Sequence, residues 1–194
     1  MVDVSAKEFT HLKIHTQYSI CEGALRIADL AKYCKDNKVK AVGLCDSHNM
    51  CGALEFSELM AKSKTQPIIG TQINVKHKGE IGKIPLFAKN LEGYKNLIKL
   101  SSKSFLESRE DKNEDPHCTI EDLINNSSGI IFLTGSFDCL IGKLFFKNLT
   151  EEILLLLSQL KKIFENNFYL EIQRHNDDGE KIFEKFLLGI SKKL

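Results

Sequence analysis

The chain has 194 residues, 42% of them hydrophobic, enough to bury a core and too many for a disordered tail. Its 27 basic and 26 acidic side chains nearly cancel, which removes the overall field that would by itself point to nucleic acid or an anionic membrane. The six cysteines (Cys21, Cys34, Cys45, Cys51, Cys118, Cys139) lack CxxC spacing and read as reduced thiols of a cytoplasmic protein, not as a zinc ribbon or a disulfide scaffold.

The N-terminal stretch has no basic start followed by an apolar run, and the aliphatic stretch ILLLLSQL at 153–160 is broken by polar residues. No leader and no membrane span are expected. FTHLKIH (9–15) alternates at period two and predicts a strand. A helix over ALRIADLAKYCKDN follows, with Leu25, Ala28, Leu30 or Ala31, and Cys34 on its inner side. KAVGLCD (40–46) is a short apolar run ending in polar residues, the pattern of a buried parallel strand. The helix expected from Met50 to Ser63 turns Leu54, Leu59 and Met60 inward.

Pro67 opens two strands around a turn at His77 to Gly82, a hairpin that interrupts strict strand-helix alternation. The helix at 90–108 has Asn90 as its cap and Leu91, Tyr94, Leu97, Ile98 and Phe105 at helical spacing. A charged loop over 107–118 leads to a short helix at 119–124, capped by Thr119 with Asp122 three residues on. The strand IIFLTG (130–135), a leucine-rich helix at 150–164, the strand NFYLEIQ (167–173) and a helix at 179–193 complete the order. Phe145, Phe146, Phe164 and Phe168 are assigned to the core. With no internal repeat or linker, residues 1–194 read as a single α/β domain, a parallel barrel or a doubly wound sheet.

In parallel α/β folds the functional side chains gather at the C-terminal ends of strands, where loops and helix N-termini converge. That rule selects His15, Asp46 to His48, Gln72 and Gly135 to Asp138. With Glu22 the rim offers His15, Glu22, Asp46 and His48 as ligands, and otherwise serine, glutamine and lysine. A hydrolytic metal cluster needs several imidazoles and carboxylates facing one cavity. Other readings stay beside it: His11 and His15 in plain hydrogen bonds, a zinc site of His48 with Cys45 or Cys51, and a Cys45–Cys51 redox pair. Lys95, Lys99 and Lys103 form a basic stripe that is either a solvated helix face or a contact for a DNA backbone.

HLKIHTQYSICEG, AVGLCDSHNMCGALEF, PIIGTQINV, LFAKNLEGYKNLIKLSSKSF, GIIFLTG and NFYLEIQRH, in order from His11 to His175, resemble the PHP (polymerase and histidinol phosphatase) domains at the N-terminus of bacterial DNA polymerase III alpha subunits. The resemblance implies a distorted parallel β/α barrel of TIM-like type. Metal-competent members hold a metal cluster and act as phosphoesterases or proofreading exonucleases. It reads the chain as the PHP region alone, lacking the last barrel strands, with a final aspartate and histidine ligand beyond Leu194.

Carried over position by position, the resemblance retains His15, replaces the preceding ligand histidine with Lys13 and an aspartate with Glu22. Asp46 keeps its register, Ser47 stands where the ligand histidine of a Thr-Asp-His-Gly motif would be, and His48 takes the glycine position. Gln72 replaces a glutamate, Lys83 a histidine and Ser136 a cysteine. A lysine ammonium in place of a dication opposes cluster assembly. Lys13 and Lys83 are expected to pair with Glu22 or Asp46. The expectation is therefore no metal, no cofactor and no catalytic residue in this stretch, which acts as a structural module and a docking surface for a proofreading exonuclease subunit. Its other implied partners are the remainder of the polymerase chain and, through it, the replisome and DNA, with Mg2+ in the polymerase domain of the parent. A working phosphoesterase built on His15, Glu22, Asp46 and His48 is the alternative; a free-standing adaptor is a third reading.

Overall fold

The structure, a computed structural model, describes residues 9–106 and 114–193. The loop expected over 107–118 lies outside the described residues from 107 to 113. The chain divides into two compact units, Met1–Gln72 and Ile73–Leu194.

In the first unit, residues 11–14 lie along residues 43–45: the Gly43 N–H donates to the His11 carbonyl at 2.7 Å and the Cys45 N–H to the Ile14 carbonyl at 2.9 Å. The strand expected at 9–15 is thus reduced to an isolated parallel bridge, Ile14 with Leu44. It ends early because the Thr16 N–H leaves the ladder for the Asp46 carboxylate, at 2.6 Å. Helix α1 (Ile27–Asp36) buries Ile27, Leu30, Ala31 and Cys34. Leu25 and Ala28, expected inside, are exposed. The Gln17 side chain accepts the Ile27 N–H at 3.0 Å and caps this helix in place of Arg26.

Strand β1 (Ala41–Ser47) is buried from Val42 onward, as its apolar run predicts. Helix α2 (Ala53–Lys62) buries Ala53, Phe56 and Met60, whereas Leu54 is 70% exposed. The helix starts three residues later than expected, and its inner stripe is Ala53, Phe56 and Met60, so of the three residues expected inside only Met60 is buried. Strand β2 (Gln66–His77) pairs in parallel with β1, Ala41 opposite Gln66 through Ser47 opposite Gln72. The boundary between the units falls inside β2.

In the second unit, β2 and β3 (Glu80–Ala88) flank the tight turn Lys78-Gly79. Both turn residues have positive φ, 52° and 79°, the signature of a type I′ hairpin, which glycine adopts freely. Helix α3 (Leu91–Leu106) follows, with the Asn90 side chain accepting the Gly93 N–H at 3.0 Å. Strand β4 (Cys118–Thr119) pairs in parallel with β2, and helix α4 (Ile120–Asn125) opens on the expected capping box between Thr119 and Asp122. Strand β5 (Ile130–Leu133) pairs antiparallel with β3. Helix α5 (Leu140–Phe146), which the sequence reading did not assign, precedes α6 (Thr150–Phe164). Strand β6 (Phe168–Tyr169) pairs in parallel with β5, and α7 (Glu180–Ser191) is the last helix.

The α/β class stands, but the parallel β/α barrel is corrected to a mixed, open sheet. The Lys78-Gly79 turn reverses the chain, and the order β2, β3, β5, β6, with β4 beside β2, does not return on itself. The strand expected over 167–173 is two residues long. Phe132 packs between Phe164 and Phe168, with ring centroids at 5.2 and 5.4 Å; each such buried ring contributes roughly 1.5–3 kcal/mol. Phe146 belongs outside this core at 48% exposure.

The Asp122 carboxylate is drawn two ways. Burial raises its pKa, but the Lys103 ammonium at 2.7 Å and the Thr119 backbone and hydroxyl donors outweigh that and hold it below its ordinary value. A carboxyl depressed in the folded state stabilises the fold above its unfolded pKa, and this contribution is lost as pH falls through the folded one. Asp122→Asn is therefore expected to cost about 1 kcal/mol near neutrality and nothing once pH is below the folded pKa. Urea unfolding of both chains across pH checks this; a difference that stays constant down to the acid end contradicts it.

Candidate functional site

Five of the predicted rim residues meet in the first unit. The segment after residue 14 carries His15, Ser19 and Glu22 past the end of β1, where Asp46 and Ser47 stand, while β2 presents Gln72 opposite Ser47. Asp46 is fully buried. Its carboxylate accepts the Thr16 N–H at 2.6 Å, the Thr16 hydroxyl at 2.7 Å and the Ser19 hydroxyl at 2.6 Å. This turns Asp46 into the anchor of the loop at 16–23. Thr71 supports it from β2, its hydroxyl donating to the carbonyls of Asp46 at 2.7 Å and Asn49 at 3.0 Å.

A second chain of hydrogen bonds runs through Gln72. Ser47 Oγ donates to Glu22 Oε2 at 2.5 Å, so it accepts from the Gln72 amide at 3.4 Å. The same amide nitrogen lies 3.3 Å from His15 Nε2. His15 Nδ1 in turn lies 3.5 Å from Ser19 Oγ. Gln72 is 3% exposed, and its Oε1 is buried without a hydrogen-bond partner.

His48 directly follows β1. Its backbone has φ of 63° and its N–H donates to the Gln72 carbonyl at 2.8 Å. This left-handed conformation favours glycine. Near the loop, Tyr18 donates to Glu55 at 2.9 Å, and that bond with the Glu55 charge raises the phenol pKa.

A divalent cluster requires unprotonated imidazole nitrogens and carboxylate oxygens turned to a common point. In this unit the rim brings together the His15 imidazole and the carboxylates of Glu22 and Asp46, with Asp46 accepting three hydrogen bonds, while Gln72 supplies a neutral amide. Sequence reasoning found the rim residues but missed Thr16, Ser19 and Thr71, which hold them. The polar run TQYS after the first predicted strand was the only signal.

The remaining predicted positions belong to the second unit. Lys83 lies half-buried on β3. Ser136 is 5% exposed just after β5, and its hydroxyl donates to the Asp138 carboxylate. Sequence reasoning also overlooked His175, Asp177 and Glu180, whose ligand atoms lie within 4.8 Å of one another. Glu180 is already occupied, accepting the backbone N–H groups of His175, Asn176 and Asp177 at the start of α7. Burial raises its pKa, and these bonds with the His175 side chain outweigh that and lower it. Among the described residues no helix is long and apolar enough to cross a membrane.

The described residues define an α/β protein with a mixed sheet and a polar rim at the end of β1. A crystallised putative metal-dependent phosphoesterase from Bifidobacterium adolescentis superposes with a TM-score of 0.56 over 95% of this chain and 83% of its own, at 12% identity, a likeness of fold alone. The PHP domain family matches residues 11–175, and the chain belongs to that family. It is 36% identical over 188 residues to the DNA polymerase III subunit alpha of Rickettsia felis, covering 96% of this chain and 15% of that protein. The corresponding subunit of Borreliella burgdorferi is 34% identical over 197 residues, covering 96% and 17%, and that of Haemophilus influenzae 31% over 192, covering 97% and 16%. The chain thus spans about one sixth of the length of these relatives.

Proposed function

We propose that residues 1–194 form one PHP domain of a cytoplasmic DNA polymerase III alpha subunit, with a degenerate metal centre and a structural role. The observation that carries this reading is the buried, neutral Gln72 side chain 3.3 Å from His15 Nε2, a poor ligand for a hard cation at the rim. Lys13 and Lys83, in place of ligand histidines, carry positive charge that opposes a dication. The domain packs against the rest of its polymerase chain and offers a surface to a proofreading exonuclease subunit. Nucleotide transfer, Mg2+ and contact with DNA and the replisome belong to the remainder of the parent.

Calorimetric titration of the metal-free chain with manganese or zinc tests this. The expected result is no tight stoichiometric uptake, and no hydrolysis of a phosphodiester such as bis-p-nitrophenyl phosphate above the metal-only blank. Uptake of one or more equivalents with micromolar affinity, together with diesterase activity lost in His15→Ala, would overturn it. That outcome would support the second reading, a reduced metal-dependent phosphoesterase using His15, Glu22, Asp46 and His48. What favours this second reading is the meeting of His15, Glu22 and Asp46 at one strand end.

A further inference from the structure

The tip of the β2–β3 hairpin closes on the corner between α5 and α6, and His77, the last residue of β2, stands beside that tip. Three polar links hold the closure. The Lys78 ammonium lies 3.2 Å from Glu152 in the first turn of α6, Lys147 just past α5 donates to Glu80 at 2.5 Å, and Lys143 of α5 donates to the Ile81 carbonyl at 2.7 Å. Beneath them β3 runs close against α5: a Cβ on Gly82 would lie 2.5 Å from the Leu140 Cα.

His77 is half-buried, and its Nε2 is enclosed with no hydrogen-bond partner among the described residues. Such a site tolerates a neutral imidazole far better than a charged one. The imidazolium carries a proton on both ring nitrogens, so charging the ring sets an N–H at Nε2 with no acceptor. Two charged groups act on it: the Lys78 ammonium opposes a second positive charge, and Glu152 favours one but is already paired with Lys78. The other charges around the tip are engaged elsewhere, Glu80 by Lys147, Lys143 by the Ile81 carbonyl and Lys76 by Glu114 at 2.7 Å, while Glu151 is exposed. Burial, joined by Lys78, outweighs Glu152 and lowers the His77 pKa. A base depressed in this way gives the closed tip its full strength above the ordinary histidine pKa, about 6.5. That strength is lost as pH falls from there to the folded value.

We propose that His77 is an acid-sensitive latch on the hairpin: neutral, it lets the tip close on α5 and α6, and protonated, it releases the tip from them. The latch uses none of the rim residues around His15, so it stands or falls separately from the metal reading.

The test is heteronuclear NMR of the full chain between pH 7.5 and 5, following the His77 ring and the protection of the backbone amides at 76–82, corrected for intrinsic exchange. His77 is expected to titrate below the ordinary histidine value. Protection at the tip should fall by up to about tenfold per pH unit across that window, while the amides of α3 keep theirs. His77→Phe and His77→Gln, neither of which titrates, should each remove the pH dependence, so one folded variant is enough. Lys78→Asn keeps a residue suited to the left-handed turn and frees Glu152 for the imidazolium, so it should raise the His77 pKa and shrink the loss of protection. Titration of His77 at or above the ordinary value overturns the proposal. So does a tip that stays protected while His77 titrates, or a loss of protection that persists in both His77 variants.

Discussion

Asp46→Ala is expected to destabilise the chain by about 3–5 kcal/mol, because it leaves buried donors without an acceptor around a fully enclosed side chain. The Thr16 N–H, the Thr16 hydroxyl and the Ser19 hydroxyl all converge on the Asp46 carboxylate within 2.7 Å. Water has no access to Asp46, so the loss is not repaid by solvation. Asp46→Asn should cost less, since one oxygen still accepts. Urea unfolding gives the values, and hydrogen exchange at Thr16 and Ser47 locates them, because the Ser47 N–H donates to Ser19 Oγ at 3.1 Å. A loss below about 1 kcal/mol for the alanine variant would mean that the loop at 16–23 is not anchored on Asp46. The experiment also bears on the family comparison: a carboxylate retained in register from a metal motif would then be serving the fold.

The second large effect is predicted for Gly93→Ala. Alanine in a helix interior ordinarily stabilises by about 1 kcal/mol relative to glycine. At Gly93 the added Cβ would lie 1.8 Å from the Gly129 carbonyl oxygen and 2.5 Å from its carbon. Backbone stands on both sides of this contact, so α3 must move away from the turn before β5. A loss of about 2–4 kcal/mol is expected, the range for overpacking that forces a backbone shift. Gly189→Ala in α7 is the control: nothing lies within 4 Å of the added carbon, and this variant should gain roughly 0.5–1 kcal/mol. Thermal unfolding of the two single variants therefore separates them in sign. If both are stabilised, the close approach of α3 to Gly129 is wrong.

Local signals were legible where a short stretch contains its own cause. The Thr119–Asp122 capping box, the Asn90 cap and the hairpin around Lys78-Gly79 each depend on residues within four positions of one another, and each forms as read. Apolar stripes were less reliable. Leu54 and Phe105 satisfy a helical period yet face outward, because the period states that a face exists and not which face meets the sheet. Helix α5 was missed because LIGKLFF is too short and too uniformly apolar to show a period.

The sequence by itself determined the membership of the PHP family, the α/β class and the rim residues His15, Glu22, Asp46, Ser47 and Gln72. It determined these because family motifs are contiguous blocks and because residue type limits ligand chemistry. Only the tertiary structure decided which partners these rim residues meet. Gln72 and His15 are separated by 57 positions, and Asp46 and Thr16 by 30. Which side chains meet His15, and which donors claim Asp46, follow from strand register and loop path. Those are long-range consequences of packing, on which neither composition nor spacing bears.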